Sequence, residues 1–477
     1  MDIDAQLVIE ERGLPAVKRK AILAEYGARM EALKQNFLGY QTNQDVSFPN
    51  SLMRFLSLNL VNLGDGYDEG SYRINAKPFE RAVVEYYARL WHFQHPAQRR
   101  RYWGYTTAMG STEGNLFALW NARDYLCGEA ISPSQPAVKT VLPPVLICSQ
   151  ATHYSVFKAC QILRIPVFNE IGPTLGPCPL PGRNWQQRLP VDDTGAVHEK
   201  SLEILVRFFI DAHYPIILLL NHGTTFTGGS DATTRILNRL KPILGCNRNN
   251  DRRYWIHVDG ALGANFSPYL HADPFELAED PFEFRHPEVM SICASPYKWL
   301  GAPWACGIYL MQSRYKIGSS FHPSYIASRD STISGSRQGL YALFLWERLA
   351  ALGEFGLRHL ALNNANHTEY LSEQLIRLFQ QLDPSGRVLK VMPRAPHSNI
   401  VCFSSPDVPI ITRFSLAQDS WVHQGYRYSM SHVVVLSHVT RSSLDELLCA
   451  LAAPGAFSER FREASTQEHA PFPGDNA

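Results

Sequence analysis

The chain contains 477 residues, of which 45% are hydrophobic and 19% are charged, and its formal net charge at pH 7 is +1. This length predicts two or three packed units, because a single domain usually has about 100–200 residues. The small net charge argues against a broad surface for nucleic acid or for an anionic membrane. No apolar run approaches the roughly 20 residues that span a bilayer, and the acidic first residues do not resemble a secretory signal.

Nine cysteines are scattered through the sequence without a C-x-x-C pair. This pattern predicts reduced thiols in a cytoplasmic enzyme, and it argues against a disulfide framework or a zinc site. His92 and His95 form an isolated H-x-x-H pair, for which a surface position is a simpler interpretation than metal binding. We therefore predict no metal site.

In chain order, a helical arm is predicted over residues 1–60. Residues 61–344 alternate short apolar runs with helical stretches, which is typical of a mostly parallel sheet covered by helices. Residues 345–460 predict a smaller domain of long helices and a few strands, and residues 461–477 predict a disordered tail. Within the arm, residues at helical spacing are apolar, namely Ile22, Tyr26, Met30, Leu33 and Phe37.

Apolar runs in the large domain predict five strands, at 145–149, 215–221, 254–258, 289–294 and 306–311. Two more strands are predicted in the small domain, at 399–403 and 432–436. Helices are predicted to follow Gly110, Tyr154 and Ala232. The stretches 128–144 and 172–190 are rich in proline and glycine and predict surface loops.

Lys298 lies between two of these apolar runs, in the segment SICASPYKWLGAPWACG. Removal of its ammonium group from water would lower its pKa and suit it to Schiff-base formation. A lysine that extends from a loop into solvent is the alternative. Taken alone, the lysine does not decide between the two, but most of the polar residues described here follow a predicted strand, and ligands bind at the carboxyl ends of strands in doubly wound sheets.

Asp259 ends the apolar run YWIHVD and is followed by Gly260 and Ala261. A carboxylate at this place could accept a hydrogen bond from a buried N–H group. In a pyridoxal-phosphate site that group is the pyridine nitrogen, which must stay protonated for the ring to accept electrons. A helix cap is the alternative.

Three further segments follow predicted strands or precede helices. In GSTEGN, backbone N–H groups and the hydroxyls of Ser111 and Thr112 could hold an anion at a helix N-terminus, and a capping box is compatible with this. His153 could stack on a flat ring or could be a structural histidine. NHGTT, which contains Thr224, offers hydroxyls to a cofactor or substrate, or only caps a helix.

Taken in order, the segments resemble the histidine-decarboxylase-like branch of the group II pyridoxal-phosphate decarboxylases, which includes plant serine decarboxylases and bacterial histidine decarboxylases. The resemblance runs from about residue 38 to 455. Its segments are LGYQTNQDVSFPN, WGYTTAMGSTEGNLFALWNARD, THYSVFKACQILRI, NHGTTFTGG, WIHVDGALGANF, SICASPYKWLGAPWACGIYL, SYIASRDSTISGSRQG and SHVVVLSHVT.

This resemblance implies an α/β enzyme of fold-type I, similar to aspartate aminotransferase, with a mostly parallel sheet in the large domain and a smaller C-terminal α+β domain. It also implies pyridoxal 5'-phosphate as cofactor, an amino acid as substrate, and a homodimer whose active sites lie at the subunit interface. Lys298 would hold the cofactor as a Schiff base, Asp259 would pair with the pyridine nitrogen, and His153 would stack on the ring.

The remaining implied site residues concern the phosphate and the proton donor. Tyr325, on a mobile loop from Ser320 to Ser331, would protonate Cα after CO₂ leaves. Ser336, in GSR, would reach the cofactor phosphate of the neighbouring subunit. The other implied cofactor-binding residues are Ser111, Thr112, Thr224, Ala261 and Ser295.

The sequence departs from the family pattern at several positions. Tyr297 replaces the usual histidine before the lysine, and Pro296 stands where glycine is common. Gln338 and Leu340 replace asparagine and histidine after GSR, and His222 replaces an aliphatic residue. Because the cofactor anchors remain, these changes indicate altered substrate choice or reaction outcome.

The predicted reaction is decarboxylation of an L-amino acid, with a small polar or histidine-like side chain, to the amine and CO₂. One alternative is another outcome on the same scaffold, either decarboxylation coupled to oxidative deamination or transamination. A non-enzymatic protein that binds pyridoxal phosphate is a second alternative. The residues do not identify the substrate.

Overall fold

A computed structural model describes residues 7–9, 11–93, 102–130, 142–245, 252–271, 280–318, 321–423 and 426–461. The predicted tail, apart from Phe461, lies outside these ranges, as do His95, Cys246 and Ser320. The strands are β1 (Val61–Leu63), β2 (Tyr102–Thr107), β3 (Val145–Ile147), β4 (Ile216–Asn221), β5 (Tyr254–Asp259), β6 (Val289–Ala294), β7 (Gly307–Gln312), β8 (Ser336–Gln338), β9 (Ile400–Ser404), β10 (Ala417–His423) and β11 (Tyr426–Val434).

The helices cover the sheet faces and connect the strands. They are α1 (Ala16–Lys34), α2 (Lys77–Leu90), α3 (Ser111–Leu126), α4 (Tyr154–Leu163), α5 (Phe168–Leu175), α6 (Glu199–Asp211), α7 (Thr233–Leu244), α8 (Gly263–Phe266), α9 (Gly339–Leu382), α10 (Val408–Arg413) and α11 (Arg441–Ala452). The three predicted helices after Gly110, Tyr154 and Ala232 correspond to α3, α4 and α7.

A six-stranded sheet forms the centre of the large core, in the order β2-β7-β6-β5-β4-β3. Strands β3 to β6 run parallel, and β7 is antiparallel to both of its neighbours. Every residue of β4, β5, β6 and β7 is buried, as expected for a sheet covered on both faces. The five predicted strands are confirmed, and β2 is an additional strand that apolar runs did not indicate.

A second, antiparallel sheet of order β10-β11-β9 lies in the C-terminal part. It packs with the later turns of α9 and with α11 around a separate hydrophobic core. Helix α9 breaks at Gly353, whose φ is 56°, a left-handed conformation that glycine adopts readily. The two sheets confirm the predicted architecture, whereas the domain boundaries at residues 60, 344 and 460 stay a prediction.

Two local expectations are corrected. Helix α5 extends into the predicted loop 172–190, because the Trp185 ring packs on its end: a Cβ at Gly172 would lie 2.3 Å from that ring. The N-terminal helix ends at Lys34, and of its predicted apolar face only Ile22 is buried. That helical face is therefore largely exposed in a single chain.

Within the described ranges, no helix is both long and apolar enough to cross a membrane. The eight cysteines located by the structure all carry free thiols, and the same residues contain no His, Cys, Asp and Glu group that could hold a metal ion. His92, predicted at the surface, is mostly covered, and its Nδ1 lies 3.4 Å from Oε1 of Glu283.

Candidate active site

A cavity of about 190 Å³ lies at the carboxyl edge of the six-stranded sheet. It is bordered by residues that follow β2, β3, β4, β5 and β6, since parallel strands bring their carboxyl ends to one edge. Eight of the ten predicted site residues line it: Ser111, Thr112, His153, Thr224, Asp259, Ala261, Ser295 and Lys298. Tyr325 and Ser336 do not line it.

Lys298 lies in a single π-helical turn, Tyr297–Gly301, directly after β6. Its Nζ donates a hydrogen bond to Oε1 of Gln41 at 2.9 Å. Burial lowers the pKa of the Lys298 ammonium, and the nearby Asp259 and Cys293 only partly oppose this. A lowered pKa increases the fraction of free amine, which is the form that attacks a carbonyl carbon.

Asp259 ends β5 and is 6% exposed. Its Oδ1 accepts a hydrogen bond from the backbone N–H of Ala261 at 3.1 Å, and its Oδ2 accepts one from Nδ2 of Asn115 at 2.8 Å. Both contacts are from donors, which suits an ionised carboxylate that can only accept. The side chain therefore offers a negative charge to the cavity.

The N-terminus of α3 forms a compact cradle with Ser295. The backbone N–H of Ser111 donates to Oγ of Ser295 at 2.8 Å, and the Ser295 hydroxyl donates to Oγ of Ser111 at 2.9 Å. This leaves the Ser111 hydroxyl hydrogen to donate into the cavity. Gly110 has a φ of 59°, and a Cβ there would lie 3.0 Å from Oγ of Ser295. The arrangement suits an anion at a helix N-terminus.

The capping box that was the alternative for the same segment is not formed, because the N-cap is Gly110, which has no side chain to accept a hydrogen bond. Oε2 of Glu113 accepts hydrogen bonds from the backbone N–H groups of Ala108 and Met109, at 2.8 and 3.2 Å. Glu113 thereby fixes the turn before α3, and burial raises the pKa of its carboxyl group. The Glu113 carboxylate and an anion at the helix N-terminus would use different groups of this turn.

His153 is the N-cap of α4 and also borders the cavity. Its Nδ1 accepts from the backbone N–H of Ser155 at 3.3 Å and lies 2.8 Å from the Ser155 hydroxyl. Burial lowers the pKa of the His153 imidazole, so its neutral form is favoured. The cap fixes the orientation of the ring, so His153 is both a structural residue and a residue that borders the cavity.

The other two lining residues are held by local turns. Oγ1 of Thr224 accepts from the backbone N–H of Gly229 at 2.8 Å. The backbone carbonyl of Ala261 accepts from the N–H of Ser295 at 3.0 Å. This second bond links the residues that follow β5 and β6 at the edge of the cavity.

The departures from the family pattern separate into two groups. Tyr297 lines the cavity, and its Cε1 would lie 3.1 Å from a Cβ at Gly110. His222 does not: its ring stacks on Phe282 at 3.9 Å, and its Nε2 lies 2.7 Å from Oγ of Ser267. Only the first departure therefore borders the site.

The changes after GSR have structural explanations. Gln338 caps α9 by accepting a hydrogen bond from the N–H of Leu340 at 3.2 Å. Leu340 itself packs in the main hydrophobic core. Neither side chain lines the cavity.

Tyr325 and Ser336 lie on the surface of the single chain. The Tyr325 side chain is 80% exposed, and Ser336 is exposed at the start of β8. Arg337 is fully buried beside it, and its Nη2 donates to both carboxylate oxygens of Glu80, at 2.9 and 2.8 Å. This pair fixes the strand that presents Ser336.

Among the lining residues that were not predicted individually are Gln41, Met109 and Asn115. Each lies inside or next to a segment that carries the family resemblance. The polarity of Gln41 and Asn115 within those segments was the signal available in the sequence. Neither is next to Lys298 in the chain, so spacing did not connect them.

The family model of the pyridoxal-dependent decarboxylase conserved domain matches residues 76–404. The chain belongs to the pyridoxal-dependent decarboxylase family. Pyridoxal phosphate is therefore its cofactor, and its fold is that of the fold-type I enzymes.

Relatives and solved structures agree with this membership. Serine decarboxylase 2 of Oryza sativa is 30% identical over 92% of this chain and 80% of that protein. A histidine decarboxylase of Solanum lycopersicum is 28% identical over 89% of this chain and 86% of that protein. L-methionine decarboxylase from Streptomyces sp. 590, solved with L-methionine methyl ester, is 33% identical with a TM-score of 0.84, over 94% of this chain and 97% of that chain.

The side chains of this pyridoxal-dependent decarboxylase fit the cofactor. The cavity contains the Lys298 amine, whose pKa is lowered by burial, and the Asp259 carboxylate, which accepts a hydrogen bond from Asn115. It also has a helix N-terminus with a serine pair of the kind that holds a phosphate. One lysine, one carboxylate and one anion cradle thus border a single cavity.

Proposed function

We propose that this member of the family removes the α-carboxylate of an L-amino acid as CO₂ and releases the amine, with Lys298 and Asp259 at the centre of the site. The observation that carries the proposal is the convergence of Lys298, Asp259 and the Ser111–Ser295 cradle on one cavity. When bound, the cofactor supplies an electron sink for the bond that breaks at Cα.

In this proposal each residue has a separate task. The Lys298 amine would hold the cofactor covalently. The Asp259 carboxylate would accept a hydrogen bond from the pyridine nitrogen and keep that nitrogen protonated. His153 would stack on the ring, and Ser111, Thr112 and Ser295 would hold the phosphate. Thr224 and Ala261 complete the walls around the ring.

We propose serine, histidine and methionine as the first substrates to test, because the similar proteins act on these amino acids. CO₂ release should be measured on the full panel of proteinogenic L-amino acids, with acidic, basic and aromatic ones as comparisons. Release from one uncharged amino acid together with its amine is the expected result. Release from none, or a product other than the amine, would contradict the proposal.

Tyr297 is the departure that borders the cavity, so we expect it to influence substrate choice. Tyr297→His, which restores the usual family residue, should change the ratio of kcat/KM between the two best substrates. His222→Val restores an aliphatic residue away from the cavity and is the matched control. An equal ratio in all three proteins would exclude a role of Tyr297 in specificity.

We also propose a homodimer in which Tyr325 and Ser336 complete the partner's site. Several apolar side chains near the N-terminus are exposed in the single chain, among them Leu23, Met53 and Leu56 at 70%, 53% and 53%. Burial of such surface against a second copy would be favourable. Tyr325 and Ser336 lie on the outside as well.

The test of the dimer is complementation. Lys298→Ala lacks the cofactor lysine, and Ser336→Trp would block the phosphate end of the partner's site. A mixture in which subunits exchange should regain activity that neither variant has alone. A monomeric mass in sedimentation together with full activity would contradict the dimer.

The free thiols support a cytoplasmic location, which fractionation of the native cells would test.

A further inference from the structure

A set of buried polar side chains from three elements leads from Asp259 into the core, and of these only Asn115 borders the cavity. Asn115 comes from α3, His257 from β5 and Ser291 from β6, and they are 1%, 0% and 0% exposed. Buried polar groups are costly unless they are hydrogen-bonded. The cofactor contacts proposed above do not require any of the three.

The hydrogen bonds of this set form one continuous chain. Nδ2 of Asn115 donates to Oδ2 of Asp259 at 2.8 Å, and Nε2 of His257 lies 2.9 Å from Oδ1 of Asn115. Nδ1 of His257 lies 2.8 Å from Oγ of Ser291, and Nε1 of Trp255 donates to the same Oγ at 3.1 Å. The chain thus extends from Trp255 to the carboxylate.

Elementary valence rules fix the direction of every bond. An ionised carboxylate only accepts, so the Asn115 amide nitrogen faces Asp259 and its oxygen faces His257. That oxygen requires the hydrogen on Nε2 of His257, and Nδ1 then accepts from the Ser291 hydroxyl. Burial lowers the pKa of the His257 imidazole to about 4, so the ring carries only this one hydrogen near neutral pH. The Ser291 carbonyl oxygen lies 3.1 Å from Nδ1 but carries no hydrogen, so the donor to Nδ1 is the Ser291 hydroxyl.

Tight packing holds the Asn115 side chain in place. A Cβ at Gly114 would lie only 2.5 Å from Cβ of Cys293, so glycine lets α3 approach β6 closely at this turn. The Cys293 thiol lies 3.3 Å from Oδ1 of Asn115 and provides a second donor to that oxygen. Asn115 therefore has little freedom to turn its amide.

We propose that Asn115 and His257 are positioning residues that orient Asp259 and strengthen its hold on the cofactor. All donors of the chain point toward the carboxylate, and a directed series of hydrogen bonds polarises each successive donor. Loss of either link would leave Asp259 free to rotate or would bury an unsatisfied amide. The inference rests on the proposed contact between Asp259 and the pyridine nitrogen.

The experiment measures the affinity of the full-length apoprotein for pyridoxal 5'-phosphate by absorbance titration, together with the visible spectrum of the bound cofactor and thermal unfolding. Asn115→Leu and His257→Leu should each weaken binding about tenfold, because each removes a link of the hydrogen-bonded series that ends on the Asp259 carboxylate. The double variant should bind no more weakly than Asn115→Leu, because His257 acts through Asn115.

Two variants separate positioning from simple loss of packing. His257→Gln retains an amide N–H that can reach Asn115 and should restore most of the affinity. Asn121→Leu, on the same helix, removes an equally buried asparagine that bonds to Tyr315 and Ile317 at 2.9 Å each. It should lower the unfolding temperature and leave the affinity and the spectrum unchanged.

The outcomes distinguish this inference from the proposed role of Asp259. If Asp259→Asn keeps normal affinity and a normal spectrum, the contact between Asp259 and the cofactor is wrong, and the inference falls with it. If Asp259→Asn binds weakly while Asn115→Leu and His257→Leu behave like Asn121→Leu, the inference alone is overturned. If His257→Leu does not fold, His257→Gln and Asn115→Leu decide the question by the same criteria.

Discussion

The cofactor cavity and the segment with Tyr325 and Ser336 differ in how their side chains are placed. In the cavity, Asp259 is 6% exposed, and Lys298, Asp259 and the serine pair each have a hydrogen-bond partner in the same chain. Tyr325, by contrast, is 80% exposed. Lys298, Asp259 and the serine pair are thus brought together within one chain, whereas Tyr325 and Ser336 lie outside this cavity.

The exposed segment is nevertheless well attached through its backbone. The Ser71 hydroxyl donates to the carbonyl of Tyr325, and the Ser71 N–H donates to the carbonyl of Ile326, both at 2.8 Å. The backbone is therefore fixed on its own chain while the tyrosine side chain extends outward. Substitutions in the two regions should accordingly have different consequences for binding and for product formation.

The largest effect is expected for Lys298→Ala in the cavity. Without the amine, turnover should fall by at least on the order of 10³-fold, and borohydride should no longer fix the cofactor to the protein. Peptide mapping of the native protein after borohydride treatment should find the label on Lys298. Lys158→Met, an exposed lysine on α4, is the control and should keep both properties. A label on another lysine would overturn the assignment.

Asp259→Asn should have the next largest effect. The change is nearly isosteric, so little packing is lost, but a neutral amide does not hold the pyridine nitrogen protonated. Turnover should fall on the order of 10²–10³-fold, as for the loss of one electrostatic partner in a buried site. Steady-state kinetics alongside thermal unfolding would check this. Near-native turnover would mean that Asp259 is only a structural residue.

Tyr325→Phe tests the exposed region. The ring stays but the proton donor is lost, so amine formation should fall about 10²-fold, while CO₂ loss depends on Lys298 and Asp259 and should continue. In air, aldehyde, ammonia and hydrogen peroxide should then appear in place of amine, because dioxygen can oxidise the substrate before Cα is protonated. The amine-to-aldehyde ratio with and without oxygen is the measurement. Amine alone at an undiminished rate would exclude this donor.

The smallest effect concerns His222, outside both regions. Burial, with His271 and His397 nearby, lowers the pKa of its imidazole from 6.5 to about 3. Between these values the unfolded chain takes up a proton that the folded chain does not, so stability falls as the pH is lowered. When the pH is lowered from 7 to 5, the free energy of unfolding should fall less in His222→Leu than in the native protein, by on the order of 1 kcal/mol. Equal losses in denaturant titrations would contradict this.

The sequence predicted the central sheet because β3 to β7 are continuous apolar runs. It did not indicate β2 or β10, for identifiable reasons. Strand β2 contains Gly104 and polar residues within a short YWGYTT run, and β10 is an edge strand whose residues are largely exposed. Apolar patterning reports burial, so strands with mixed or exposed faces give a weak signal.

The same limit applies to the site. Residues that directly follow strands could be predicted, because the carboxyl edge of a parallel sheet collects them. His257 lies inside a strand, and no rule of sequence position marks a polar residue there as part of a site. Gln41 contacts Lys298 across 257 residues of chain, and no local pattern encodes such a contact.

That long separation has a consequence for how the protein forms. Besides the contact of Gln41 with Lys298, Asn43 bonds to the Trp299 carbonyl across 256 residues, and Arg337 bonds to Glu80 across 257. Contacts between residues so distant in the chain close large loops, and such contacts slow folding. On dilution from denaturant, helical circular dichroism should therefore recover first, and the ability to bind pyridoxal phosphate should return only when the two distant segments meet.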